Sequence, residues 1–227
     1  MERIKWFEVH WSSNYENVSK NIIANKFSEN KQYGFKVYKR RENYINASYI
    51  QIKEIEEEIE NPLTNELTMY KRVLFDKNDF VIENNIFGIE LINPSRTSQQ
   101  LINTIASLSN FNIVIKPLNY NLSKLIQTLK LKLENLTINQ IECSEIKIKG
   151  LTSAKLTAKN NQNDLFCDVE EFLHNKEYTI EKIKCSFYHN SQSLNFELSN
   201  HGSLKAKKNI LEFISPIIKE SILEIKQ

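Results

Sequence analysis

Glycine is scarce in this chain of 227 residues: the four are Gly34, Gly88, Gly150 and Gly202, each isolated. A phosphate loop of either common kind needs clustered glycines so that the backbone can approach the anion, and this spacing disfavours both. Aspartate is as rare. Asp76, Asp79, Asp164 and Asp168 are the whole set, which leaves little for a site of metal-bound carboxylates. The three cysteines are odd in number and widely spread, and they fit reduced thiols better than a disulfide framework. No apolar run approaches the roughly 18 residues of a membrane span. The opening MERIKWFEVHW is charged where a signal peptide has its apolar core. These absences predict a cytoplasmic protein with no membrane contact, no cofactor, no metal and no assignable catalytic residue. Lys and Arg total 30 against 28 Asp and Glu, a net charge of +2, so any contact with nucleic acid has to come from a local patch.

What is present reads as an ordinary folded chain, 41% apolar and 26% charged. Its abundance of Asn, Lys, Ile and Glu matches the coding drift of an AT-rich microbial genome. The stretch from Phe80 to Leu118 predicts a strand over Ile86 to Ile92, a helix capped by Asn93 with Pro94 in its first turn, and a second strand over Phe111 to Ile115. Leu101, Ile102, Ile105 and Leu108 give that helix an apolar face, and the short connections suggest a central βαβ unit.

Before it, Ile4 to Val9 reads as a strand and Tyr15 to Phe27 as a helix capped by Ser13 or Asn14. Gly34 to Arg40 and Tyr44 to Lys53 read as paired strands, with a phase shift between Ile45/Ala47/Tyr49 and Ile50/Ile52 that hints at a bulge. Glu54 to Glu60 is expected to be a surface loop ending at Asn61-Pro62. Met69 to Phe75 and Phe80 to Ile82 are expected as strands around a turn at Asp76 to Asp79.

After it, Asn121 or Ser123 caps a helix facing inward through Leu122, Leu125, Ile126, Leu129 and Leu133. Asn163 is expected to cap another, running through Leu173. Ile183, Cys185 and Phe187, then Leu194, Phe196 and Leu198, alternate as a hairpin around His189 to Gln192. A closing helix carries Leu211, Ile214, Ile218, Ile222 and Ile225 and is kinked at Pro216. The fold class predicted is α+β, mainly antiparallel sheet covered by helices, with the central βαβ unit. The element order also suggests two similar αβ halves, 1–118 and 119–227, with one continuous domain as the alternative.

Four groups of residues bear on function. Ser95, Arg96, Thr97 and Ser98 bring hydroxyls and a guanidinium to a helix start, where free N–H groups favour an anion; the same residue types also gather there simply to cap. Lys36, Tyr38, Lys39, Arg40 and Arg41 form a basic strand interleaved with an aromatic, with Lys36, Tyr38 and Arg40 expected on one face, suited to phosphate contact and base stacking. A charged edge strand that blocks aggregation explains them equally. Cys167, His174, Cys185 and His189 have zinc-compatible chemistry but none of the usual ligand spacings, and Cys167 and Cys185 sit in apolar patterns that predict core packing. Glu8 with His10, and Glu90 inside an apolar strand, are the acid–base candidates, while Glu145-Ile146-Lys147 is too short a motif to define a nuclease. The expectation is a non-enzymatic binding subunit of a larger microbial assembly, contacting a protein partner or nucleic acid backbone. The alternative is an enzyme holding the phosphate of a phosphorylated or nucleic-acid substrate at Ser95 and Arg96.

Overall fold

The computed structural model describes residues 1–11, 15–95, 98–149, 152–160 and 165–226. The expected caps Ser13, Asn14 and Asn163, the candidates Arg96 and Thr97, and Gly150 lie outside them. The described chain is α+β, with eleven strands and five helices, and its sheet is mainly antiparallel. Two compact units are formed by Glu8–Lys116 and by Met1–Phe7 with Pro117–Gln227, and strand β1 (Glu2–His10) gives residues to both.

In the unit Glu8–Lys116, α1 (Tyr15–Ala24) precedes β2 (Tyr33–Arg41), β3 (Tyr44–Glu60), β4 (Leu67–Glu83), β5 (Ile89–Ile92) and α2 (Ser98–Leu108). The hydrogen-bonded order is β2-β3-β4-β5-β1. Alternation puts Ile45, Ala47 and Tyr49 of β3, Phe80 and Ile82 of β4, and Ile89 and Leu91 of β5 on one face, all buried. Val18 and Ile22 of α1 and Leu101, Ile102 and Ile105 of α2 are buried too, and a 3.3 Å bond from Thr104 Oγ1 to Tyr49 OH sets α2 over β3. The strand after α2, β6 (Val114–Pro117), pairs with β1. β5 is hydrogen-bonded to β4 and β1, so β1 separates the two strands that flank α2.

Two expectations of loop or turn in this unit are overturned. Glu54 to Glu60 is strand, not loop: β3 and β4 are 17 residues each and pair without interruption from Tyr44↔Glu83 to Glu60↔Leu67. Asp76 to Asp79 is likewise strand, because neighbours that folding brings near take up the side chains a turn would have used. Asp76 pairs with Lys53 at 3.0 Å, and Asp79 binds Ser48 and Lys77. Buried Asn78 accepts from both the backbone N–H and the hydroxyl of Ser95. The actual turn follows Glu60, closed by Asn61 N–H on Glu66 O and by Asn65 at φ 55°. Helix α2 begins at Ser98, later than predicted, since Asn93 takes φ 48° and Ser95 is tied to Asn78.

In the other unit the order is β1-β11-β10-β9-β7-β8, built from β7 (Thr137–Lys149), β8 (Thr152–Lys159), β9 (Thr179–His189), β10 (Gln192–Ser199) and β11 (Ser203–Ala206). Its helices are α3 (Leu122–Lys132), α4 (Leu165–Phe172) and α5 (Lys208–Lys226). Asn121 caps α3, its side-chain oxygen accepting from Lys124 N–H at 3.1 Å. The β9–β10 hairpin pairs Phe187 with Leu194, Cys185 with Phe196 and Ile183 with Leu198. Its turn residues Asn190 and Ser191 both have positive φ, as a two-residue turn matching strand twist requires. Ile210, Leu211, Ile214, Ile218 and Ile222 form the buried face of α5, which contains Pro216.

Candidate functional site

The basic strand is where local sequence and geometry diverge most usefully. The β2–β3 register slips between Val37 and Lys39, so the bulge lies at Tyr38 on β2. One extra residue reverses the phase beyond it. Lys36 pairs with Ser48, Lys39 with Asn46 and Arg41 with Tyr44, all on the face away from the core row, whereas Arg40 pairs with Ile45 on the core side. The expectation that Lys36, Tyr38 and Arg40 share a face is therefore wrong for Arg40. Tyr38 lies with Lys36. Its hydroxyl is 2.9 Å from Ser48 Oγ, and the ammonium groups of Lys36 and Lys77 sit 5.6 and 5.9 Å from its ring centre. Ser48 is fully buried and also donates to Asp79, so Tyr38 is held in place by a satisfied polar pair.

Arg40, on the opposite face, borders a pocket of about 480 Å³ lined by Trp11, Tyr15, Glu16, Glu42, Asn43 and Asn84. The Trp11 and Tyr15 rings meet edge to face at 5.4 Å. Both the indole Nε1 of Trp11 and the hydroxyl of Tyr15 are buried without a hydrogen-bond partner among the described residues. Burial pushes the Tyr15 phenol up to about 12, with the Arg40 charge opposing and the Glu83 charge reinforcing the shift. Glu16 forms an ion pair with Lys20 at 2.9 Å, and this partner lowers its carboxyl below the ordinary range. Neither Trp11 nor Tyr15 is among the residues the sequence marks as a site, because Tyr15 reads only as the start of a helix and Trp11 only as part of the strand before it.

The ribbon of β3 and β4 beyond Ile52 and Phe75 is a second surface. Its register sets Glu54 opposite Val73, Glu56 opposite Lys71, Glu58 opposite Met69 and Glu60 opposite Leu67, all on one face. Lys71 pairs with Glu56 and Arg72 with Glu57, each at 2.6 Å. Glu54, Glu58 and Glu60 are exposed and make no ion pair among the described residues. Leu67, Met69, Val73 and Phe75 are each more than half exposed.

The other predicted sites are dispersed. The Ser95 hydroxyl and N–H are both spent on Asn78, and Ser98 is the first residue of α2, while Arg96 and Thr97 lie outside the described residues. Cys185 is buried on β9, His189 packs on Phe213 at 4.2 Å between ring centres, and Cys167 is exposed on α4, contrary to the core packing expected of it. Among the described residues no three His, Cys, Asp or Glu side chains group as metal ligands. Glu8 lies 3.4 Å from His10 and 3.8 Å from Lys116. Glu90 is half-buried, not part of the core as its apolar neighbours implied, because alternation turns it to the face opposite Ile89 and Leu91. Glu145 takes φ 53° and accepts from Thr179 Oγ1 at 3.0 Å, and Lys147 pairs with Glu177. No helix among the described residues is long and apolar enough to cross a membrane. The sequence matches no protein-family model and no curated protein.

Proposed function

We propose that this chain is a non-enzymatic binding subunit of a larger microbial assembly, cytoplasmic, which holds a protein partner on the β3–β4 ribbon. One observation carries the reading: exposed Leu67, Met69 and Val73 stand opposite Glu60, Glu58 and Glu54, which make no ion pair among the described residues, and exposed Phe75 extends the same row. Contiguous exposed apolar side chains flanked by charge are what interaction surfaces present, and a free strand edge offers backbone hydrogen bonds besides. The partner segment that fits is apolar with Lys or Arg at alternate positions. To test this, proteins captured by the chain would be purified and titrated against it and against Met69→Glu/Val73→Glu. A partner that loses affinity about tenfold or more in the variant supports the reading. Equal affinity for both chains, or no hydrogen-exchange protection of 54–60 and 67–75 on binding, removes it.

The face carrying Lys36, Tyr38, Lys39 and Arg41 supports a second reading, contact with a nucleic acid backbone. Cations flanking an aromatic suit phosphates and a stacked base. A labelled oligonucleotide whose affinity falls steeply with salt, and less steeply for Lys39→Glu/Arg41→Glu, would favour it. The enzyme alternative at Ser95 and Arg96 has less support, because both Ser95 donors are already engaged.

A further inference from the structure

Beyond both surfaces, the pocket beside Arg40 combines features that neither reading uses. Tyr15 is only 7% exposed, yet its hydroxyl has no partner among the described residues, and the Trp11 indole N–H shares that condition. An orphaned buried donor is costly, so two lining one pocket are an unusual expense for a fold to carry without a purpose. Both groups can donate, and an indole can do nothing else. Arg40 adds five further N–H donors and makes no ion pair among the described residues.

The rim limits what can enter. Glu16, Arg40 and Glu42 are the exposed charges of the lining, and among the described residues only Glu16 of the two carboxylates has an ion pair, with Lys20. A polyanionic strand would be repelled there. A small molecule that turns a single oxyanion toward the donors would not. The volume, about 480 Å³, is within the range of small-molecule sites.

We propose that this pocket binds a small carboxylate- or phosphate-bearing molecule, its oxyanion accepting from Arg40, the Tyr15 hydroxyl and the Trp11 indole N–H. Trp11, Tyr15 and Arg40 all line the pocket, and the two orphaned donors, shut off from water, turn toward the anion as it binds.

The chain has two tryptophans, so its nitrogen-labelled spectrum carries two indole N–H signals, assigned by Trp11→Phe. Titration with inorganic phosphate, acetate and glycine at millimolar concentration should move the Trp11 signal saturably and leave that of Trp6 in place. The more effective of phosphate and acetate names the ligand class, and a preference for glycine over acetate would add a role for Glu42 in holding an ammonium group. Arg40→Gln, at an exposed position, should weaken binding about tenfold or more. Tyr15→Phe should weaken binding while raising the melting temperature in the absence of ligand, since it removes a buried unpaired hydroxyl. No saturable shift with any probe, or a shift undiminished in both folded variants, overturns the proposal.

Discussion

Glu58 on β3 stands directly opposite Met69 on β4, both exposed, in the part of the ribbon that no third strand flanks among the described residues. A carboxylate beside an exposed thioether contributes little to folding, so substitution should be tolerated. Met69→Thr with Val73→Thr is expected to change the free energy of unfolding by no more than about 0.5 kcal/mol. The same pair should reduce concentration-dependent association of the isolated chain, read by light scattering, because an apolar free edge is the surface through which strands aggregate. Unfolding in urea checks the first expectation.

Gly202 should tolerate no side chain. Its φ is 68°, and an added Cβ would lie 2.8 Å from Trp6 O and 2.9 Å from Leu118 O, with Trp6 N–H already bonded to Gly202 O at 2.7 Å. Trp6 O cannot retreat without losing its bond from Leu118 N–H at 3.1 Å. Gly202→Ala is therefore expected to cost about 2 to 4 kcal/mol, the sum of backbone strain and a displaced strand pairing, measured by denaturant titration. Arg41→Ala, on an exposed strand end, is the control.

The bulge at Tyr38 separates effects that sequence proximity would merge. Lys39→Glu/Arg41→Glu should leave stability nearly unchanged, since exposed charges contribute little. If the outer face meets phosphates, the pair should reduce the slope of log affinity against log salt by about 2. Arg40→Glu, one residue away on the other face, should leave that slope alone. Parallel titrations of the two variants at several salt concentrations decide it.

Cys185 and Cys167 should behave oppositely. Cys185 is 1% exposed and packs across from Phe196, so Cys185→Ala should cost about 1 to 2 kcal/mol as a core cavity. Cys167→Ser, at an exposed position, should be neutral. A chelator should leave the melting temperature of the intact chain unchanged, and metal analysis finding about one zinc per chain would contradict the cavity explanation.

Alkaline pH should destabilise the fold more steeply than surface tyrosines would. Burial raises the phenols of Tyr15, Tyr49, Tyr120 and Tyr178 above their ordinary value of 10.0, that of Tyr15 to about 12. In the unfolded chain these groups ionise near 10, while in the folded chain they hold their protons longer. Above pH 10 the unfolded state therefore binds fewer protons, and stability falls as pH rises toward 12. Below pH 10 this contribution is fully present. Denaturant titrations across that window should show the decline, and Tyr15→Phe should make it shallower.

Several elements were legible from residues alone because one local pattern sufficed. The spacing of Leu122, Leu125, Ile126 and Leu129 gives α3 its buried face, and the alternation through Ile183, Cys185 and Phe187 gives β9 its phase. The stop at Asn190-Ser191 follows from residues that tolerate positive φ. Each rests on contacts within one element or a tight turn. The site was less legible: Arg40 was singled out for its charge, but its separation from Lys39 and Arg41 depends on a bulge whose position is set by pairing with β3.

Sequence by itself determined the α+β class, the buried face of α3, the β9–β10 hairpin and the scarcity of glycine and aspartate. Only tertiary structure decided that Glu54 to Glu60 is strand, since glutamates with weak strand preference are held there by a ladder to Leu67 through Val73 and by ion pairs to Lys71 and Arg72. It also decided that Asp76 to Asp79 runs straight through β4, because Lys53, Ser48 and Ser95, distant in the chain, supply the partners a turn would have provided. The orphaned donors of Trp11 and Tyr15 belong to the same class of fact. Whether a polar group is satisfied depends on every neighbour that folding brings near it, and no window of sequence contains those neighbours.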